Sequence, residues 1–262
     1  MRNRAIVQTL VAAFLGLGAQ GAAAQENFAR LTFGQLDVDS GLADRSVASL
    51  YVQQSVSPAT DLRFELATQS REEDASYLSA GAKTEVGGGV SLNFAIAGSD
   101  SDLGIYPERM IGAGVEYVAP AETGLVYRLD ATYAEYGNDT ESTALTAEVV
   151  KFFPAFEDGS YLVGQVGGTA VSTDPGGETG GEFKTALTYV MPSQWSVGLS
   201  ASTGTIGYEA FTGVPVRNDF VAMRPFATWQ VSETTEIILN TEFVDTDDYD
   251  ITGVSIGLKV DL

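Results

Sequence analysis

The chain of 262 residues contains no cysteine and no histidine. Without cysteine there is no disulfide framework and no thiolate nucleophile or metal ligand, so an exported chain of this size must hold together by backbone pairing and packing. Without histidine the usual general base, the Ser-His and Cys-His pairs and most zinc sites are lost together. Basic residues are scarce: 14 Lys and Arg stand against 35 Asp and Glu, a net charge of −21. A polyanion is held by clustered Lys and Arg, so nucleic acid is excluded as a partner. Beyond residue 24 no apolar run approaches 18 residues, and no transmembrane helix is expected.

What is present begins with a targeting pattern. Arg2 and Arg4 form a positive segment, residues 5–17 an apolar one, and Ala22, Ala23 and Ala24 supply small side chains for a signal peptidase. The expectation is a Sec signal peptide over 1–24, cleaved after Ala24, followed by one domain over 25–262. An exported chain without a membrane helix is periplasmic, extracellular or an outer-membrane barrel.

Period-two alternation between turn signals predicts fourteen strands, at 28–37, 46–56, 62–70, 77–86, 90–98, 110–118, 125–136, 143–153, 161–172, 182–191, 195–205, 219–231, 236–244 and 251–262. The repeat of about 17 residues suits a membrane strand of about 9 to 11 residues plus a connection. The alternation is plain in the last strand, where Val254, Ile256, Leu258, Val260 and Leu262 share one face and Gly253, Ser255, Gly257, Lys259 and Asp261 the other. Short connections (57–61, 87–89, 119–124, 154–160, 192–194, 232–235) alternate with a set that includes longer acidic ones (38–45, 99–109, 173–181, 206–218). That asymmetry separates an all-β, antiparallel up-and-down transmembrane β-barrel of about fourteen strands, with twelve as the alternative count, from a soluble sandwich or jelly roll.

Aromatic residues gather at strand ends. Tyr117, Phe152, Phe153, Tyr161, Trp195 and Trp229 lie near short turns, and Tyr77, Tyr106, Tyr136, Phe183, Tyr208, Phe220 and Tyr249 near loops, which predicts two membrane-interface girdles. Alternation also assigns an interior. Arg63, Lys83, Arg128, Lys184, Arg224 and Lys259 are expected inside with Glu65, Glu85, Glu116, Asp130, Glu148, Glu182, Glu242 and Asp261. Charges in that position must meet water or each other. These fourteen are the lumen-lining candidates, and the remaining acids concentrate at the mouths of the barrel.

Other motifs carry less. Gly253-Val254-Ser255-Ile256-Gly257 has the Gly-x-Ser-x-Gly spacing but neither the strand-to-helix turn nor the histidine that a nucleophile elbow needs. Asp245, Asp247, Asp248 and Asp250 look like half a calcium loop, without its central Gly and final Glu. They read as a solvated acidic loop and, with Arg71-Glu72-Glu73-Asp74 and Asp100-Ser101-Asp102, as a negative rim. No catalytic, cofactor-binding or metal residues are assigned, and no cofactor is expected.

The final run, Ser255-Ile256-Gly257-Leu258-Lys259-Val260-Asp261-Leu262, resembles the C-terminal recognition strand of outer-membrane barrels, with Leu where Phe is commoner. From about Tyr106 onward the succession Gly112-x-Gly114-x-Glu116-Tyr117, Tyr127-Arg128 with Tyr133 and Tyr136-Gly137, then Pro192-Ser193-Gln194-Trp195 resembles the YaiO-type outer-membrane barrels. That resemblance implies the cell outer membrane of a Gram-negative bacterium and brings no catalytic residue. The expected partners are outer-membrane lipid and lipopolysaccharide, the barrel-insertion machinery through the C-terminal strand, and divalent cations at the acidic loops. The leading functional reading is a porin-like passive diffusion channel for small hydrophilic or cationic solutes. The alternative is a structural or surface-interaction barrel linked to envelope polysaccharide, its lumen closed by ion pairs; an outer-membrane enzyme comes last.

Overall fold

A computed structural model describes residues 27–39, 44–70, 74–100, 106–136, 140–174, 179–206 and 218–262. The expected signal peptide, Arg71 to Glu73, Ser101, Asp102 and Tyr208 lie outside the described residues.

The fourteen strands are β1 (Phe28–Val38), β2 (Arg45–Ser57), β3 (Thr60–Ser70), β4 (Asp74–Gly87), β5 (Val90–Ser99), β6 (Arg109–Val118), β7 (Leu125–Tyr136), β8 (Thr140–Phe152), β9 (Tyr161–Asp174), β10 (Thr179–Val190), β11 (Trp195–Ile206), β12 (Asn218–Ser232), β13 (Thr235–Thr246) and β14 (Asp250–Asp261). Each pairs antiparallel with its neighbours in sequence, and β14 returns to β1 from Phe28↔Asp261 to Val38↔Ile251, closing the barrel. Closure removes the unpaired edges that an open sheet would expose. The expected fold class is therefore the observed one, with fourteen strands and not twelve. Several strands run further toward the loops than alternation indicated; β4 starts at Asp74, β8 at Thr140 and β10 at Thr179. The backbone ladder continues past the apolar belt, where nothing requires side chains to alternate in polarity.

At the other end the connections are tight. Gly87, Gly88 and Gly89 all have positive φ, which only glycine adopts without strain, and they join β4 to β5 directly. Between β6 and β7 a single 3₁₀ turn, Ala121–Thr123, is closed by Gly124 in the left-handed region.

Large apolar side chains are exposed all round the outer surface, including Phe33, Phe64, Phe94, Ile111, Leu145 and Leu239. A monomer in water rarely exposes a continuous apolar surface of this extent, whereas hydrocarbon favours it. The turn-side girdle holds for Tyr117, Phe153, Trp195 and Trp229, exposed on the outer surface, with the two indoles stacked 5.3 Å apart. Tyr161 instead lines the interior cavity, and Phe152 pairs with the buried Val163 of the inner face. The loop-side girdle needs a larger correction. Phe183 faces out, but Tyr106, Phe220 and Tyr249 are buried, and Tyr77 stacks on Tyr106 at 5.1 Å. Tyr136 pairs with the buried Thr140. For Phe220 the strand register gives the reason: it lies one residue from the outward Val221, so the pleat turns it inward.

Candidate functional site in the barrel lumen

The strand pairings place all fourteen candidate charges on the face opposite the apolar belt. Arg63 and Glu65 come from β3, Lys83 and Glu85 from β4, Glu116 from β6, and Arg128 and Asp130 from β7. Glu148 comes from β8, Glu182 and Lys184 from β10, Arg224 from β12, Glu242 from β13, and Lys259 and Asp261 from β14. The pleat also turns inward four charges that the sequence reading omitted, Arg30, Arg45, Asp61 and Glu236. Arg30 was recoverable, since it alternates with the outward Leu31 and Phe33. Arg45 and Asp61 fell in segments read as connections.

Five candidates form one ladder along the wall. Glu116 accepts from Lys83 Nζ at 2.6 Å and Arg128 Nε at 2.8 Å, and Arg128 Nη1 donates to Glu148 at 2.9 Å. Glu148 also receives Lys184 Nζ at 3.0 Å and the amide of Gln165. The register builds this arrangement. Glu116, Arg128 and Glu148 are direct cross-strand partners, and Gly167, which separates Glu148 from Lys184, has no side chain for the lysine to reach past. A Cβ at Gly167 would sit 2.8 Å from the Ala147 carbonyl oxygen, so the gap stays open.

A second pair is more deeply buried. Arg224 Nε donates to Glu242 at 2.7 Å and its Nη1 to Ser202 at 3.0 Å, with both charged side chains under a tenth exposed. Lys259 reaches Asp261 at 3.7 Å and lies over the Phe28 ring, while Arg30 lies over Tyr51 at 5.3 Å, so this wall places cations on aromatic faces. Glu85 stands exposed at the turn mouth, and Glu182 feels the charge of Glu242 without bonding to it. Asp130 occupies the space over Gly114, where a Cβ would come within 1.9 Å of its Oδ1.

The lumen is divided along its length. A cavity of about 910 Å³ runs from the β12–β13 turn at Thr234 past mid-barrel to Met110 and Thr132, lined in part by Arg30, Tyr51, Arg63, Glu65, Asn93, Asp130 and Lys259. Toward the loops the inner face is buried: Val38, Phe220, Ala222, Val244, Tyr249 and Ile251 form one cluster, and Ala75 and Tyr106 a second. Among the described residues no three acidic side chains are arranged to hold a metal ion.

No protein-family model and no curated protein sequence matches the chain. Solved structures do. A bacterial polysaccharide outer-membrane secretin superposes with a TM-score of 0.60 at 7% identity, over 92% of this chain and 99% of its own. The outer-membrane protein Omp33 of Acinetobacter baumannii gives 0.57 at 12% identity, over 92% and 100%. An anion-selective porin from Comamonas acidovorans gives 0.50 at 13%, over 90% and 98%. At such identities the likeness is one of architecture, and it establishes that the chain has the porin-like fold of bacterial outer-membrane β-barrels.

Proposed function

We propose that the protein, after loss of residues 1–24 during Sec export, spans the cell outer membrane as a YaiO-type barrel. There it acts as a passive diffusion channel for small hydrophilic solutes, cations preferentially. The observation that carries this reading is the charge-lined cavity of about 910 Å³ inside an apolar-coated barrel. Fourteen strands enclose more than an eight-stranded barrel, whose interior its own side chains nearly fill. Cation preference follows from the acids that crowd the loop ends of the strands, among them Asp37, Asp39, Asp44, Asp245 and Asp250. Lipopolysaccharide and divalent cations at that rim, and the insertion machinery at β14, are the partners this placement supports.

A second reading, a structural or surface-interaction barrel linked to envelope polysaccharide, is favoured by the ion-paired ladder and the buried loop half of the lumen. Planar-bilayer recording on refolded protein separates the two. Discrete conductance steps support the channel, and an electrically silent but folded barrel supports the closed one.

A further inference from the structure

Asp130 differs from the other charges on its wall. Lys83, Glu116, Arg128, Glu148 and Lys184 are bonded to one another along the ladder, three cations to two carboxylates, and each oxygen of Glu116 and Glu148 already accepts from a cation. Asp130 stands on the same inward face of β7, two residues beyond Arg128, where it lines the cavity half-buried. Among the described residues it makes no hydrogen bond and no ion pair.

The register explains the missing partner. Across from Asp130 are Gly114 on β6, which has no side chain, and Thr146 on β8, whose hydroxyl is shared with that of Thr169 at 2.9 Å. Arg128, the cation next to it on β7, directs Nε to Glu116 and Nη1 to Glu148. A Cβ at Gly114 would run into Asp130 Oδ1, so the carboxylate leans over the glycine. Next along the wall are Gly112 and its partner Ala95, and a Cβ at Gly112 would meet only Ala131 O and Thr132 Oγ1 at 3.7 Å and Ala95 Cβ at 3.8 Å. The carboxylate therefore borders a recess of the cavity floored by small residues.

The bonded charges of the ladder offset one another and leave one positive charge over. Asp130 cancels that surplus, and its oxygens are the ones still to be matched. A bare carboxylate in a partly desolvated recess favours a solute that brings positive charge or N–H donors and disfavours an anion. We propose that Asp130 decides which sign of solute the middle of the lumen admits, with alkali and small ammonium cations meeting its carboxylate over Gly114. The proposal deepens the channel reading, on which its consequence for transport rests, by placing a cation-preferring group inside the barrel and independent of the acids at the rim.

Because the chain has no cysteine, Thr132→Cys gives a single thiol on the cavity wall, two residues from Asp130 on the same face and about 7 Å away between Cα atoms. The refolded protein in detergent at physiological salt is treated with methanethiosulfonates bearing a trimethylammonium or a sulfonate group, and each rate is divided by that of the same reagent with mercaptoethanol. The cation-to-anion ratio should exceed one, and adding Asp130→Asn should lower it about twofold or more. Changing Asp245, Asp247, Asp248 and Asp250 to Asn should leave it alone, since Asp130 lies six residues from the loop end of β7, about 20 Å along the strand and beyond a Debye length of about 8 Å. A ratio below one, a smaller response to Asp130→Asn, an equal response to the rim changes or a thiol that does not react overturns the proposal. If Thr132→Cys fails to recover the heat-modifiable migration of the folded barrel, reversal potentials of Asp130→Asn in 1 M salt, where rim charges are screened within about 3 Å, decide: reduced cation preference supports the proposal and an unchanged one overturns it. A ratio governed by Asp130 in a barrel that passes no current would keep the assignment and refute the channel; current with a ratio indifferent to Asp130 would do the reverse.

Discussion

Replacing Arg128 with methionine tests whether the lumen ladder behaves as a buried network or as a solvated one. Arg128 donates two hydrogen bonds, one to each of two carboxylates, at 2.8 Å to Glu116 and 2.9 Å to Glu148. Its own side chain is 29% exposed, whereas those of Glu116 and Glu148 are 9% and 8% exposed. Each hydrogen bond to a charged group contributes about 1.5 to 3 kcal/mol, so two set an upper range of about 3 to 6 kcal/mol. Two features reduce that figure. Glu116 keeps Lys83 and Glu148 keeps Lys184, and water reaches the guanidinium, so the expected loss is about 2 kcal/mol. A solvated ion pair would cost about 1 kcal/mol or less. Equilibrium urea unfolding in lipid or detergent, comparing midpoints at unchanged slope, reads the difference directly. A loss of about 1 kcal/mol or less would refute the buried-network argument, since the pair would then be worth no more than surface charges.

Three further outcomes are expected. Leu262→Asp places a charge on a side chain that is 72% exposed at the end of β14, and should lower the amount of barrel recovered in the outer membrane; unchanged levels in fractionated cells would remove the recognition role from that strand. Changing Asp245, Asp247, Asp248 and Asp250 together to Asn should weaken cation preference in dilute salt and leave high-salt conductance nearly unchanged, because rim charges act over a Debye length of about 8 Å at physiological salt. Reversal potentials under a salt gradient measure it, and anion preference in the unmodified protein would defeat the electrostatic reasoning. In the β8–β9 turn, the Ser160 hydroxyl at 2.6 Å and its backbone N–H at 2.9 Å both donate to Asp158, holding that carboxyl below its usual range. The folded pKa is depressed, so this contribution is present above the ordinary Asp range and lost as pH falls through the lowered value; an Asp158 carbon chemical shift titrating at the unperturbed position would contradict it.

Much of the barrel was legible because alternation is a local signal. Val254, Ile256 and Leu258 identify their face without reference to any other strand, and the same parity turned the fourteen charges inward. What could not be read is which charges meet. Glu116, Arg128 and Glu148 are 12 and 20 positions apart in sequence, and their alignment depends on the register of β6, β7 and β8. The loop-side aromatics depart from the two-girdle expectation for a different reason. Proximity to a strand end does not make a residue part of a girdle: parity at Phe220 points inward, and Tyr106 lies in a connection where no alternation exists. Asp130 was visible as an inward charge, but its lack of a hydrogen-bond partner depends on Gly114 and Thr146 of the flanking strands.

The position of the cavity also affects how this sequence can vary. Its walls come from strands and from tight turns at one end, while the long, acidic connections join the strands at the opposite end. Insertions, deletions and substitutions in those connections leave the residues around Arg63, Asn93 and Asp130 in place. The surface turned toward the loops is therefore free to drift under external pressure while the interior chemistry stays constant. Related barrels should accordingly differ most in loop length and least at the small residues Gly81, Ala95, Gly112 and Gly114, which keep the wall smooth.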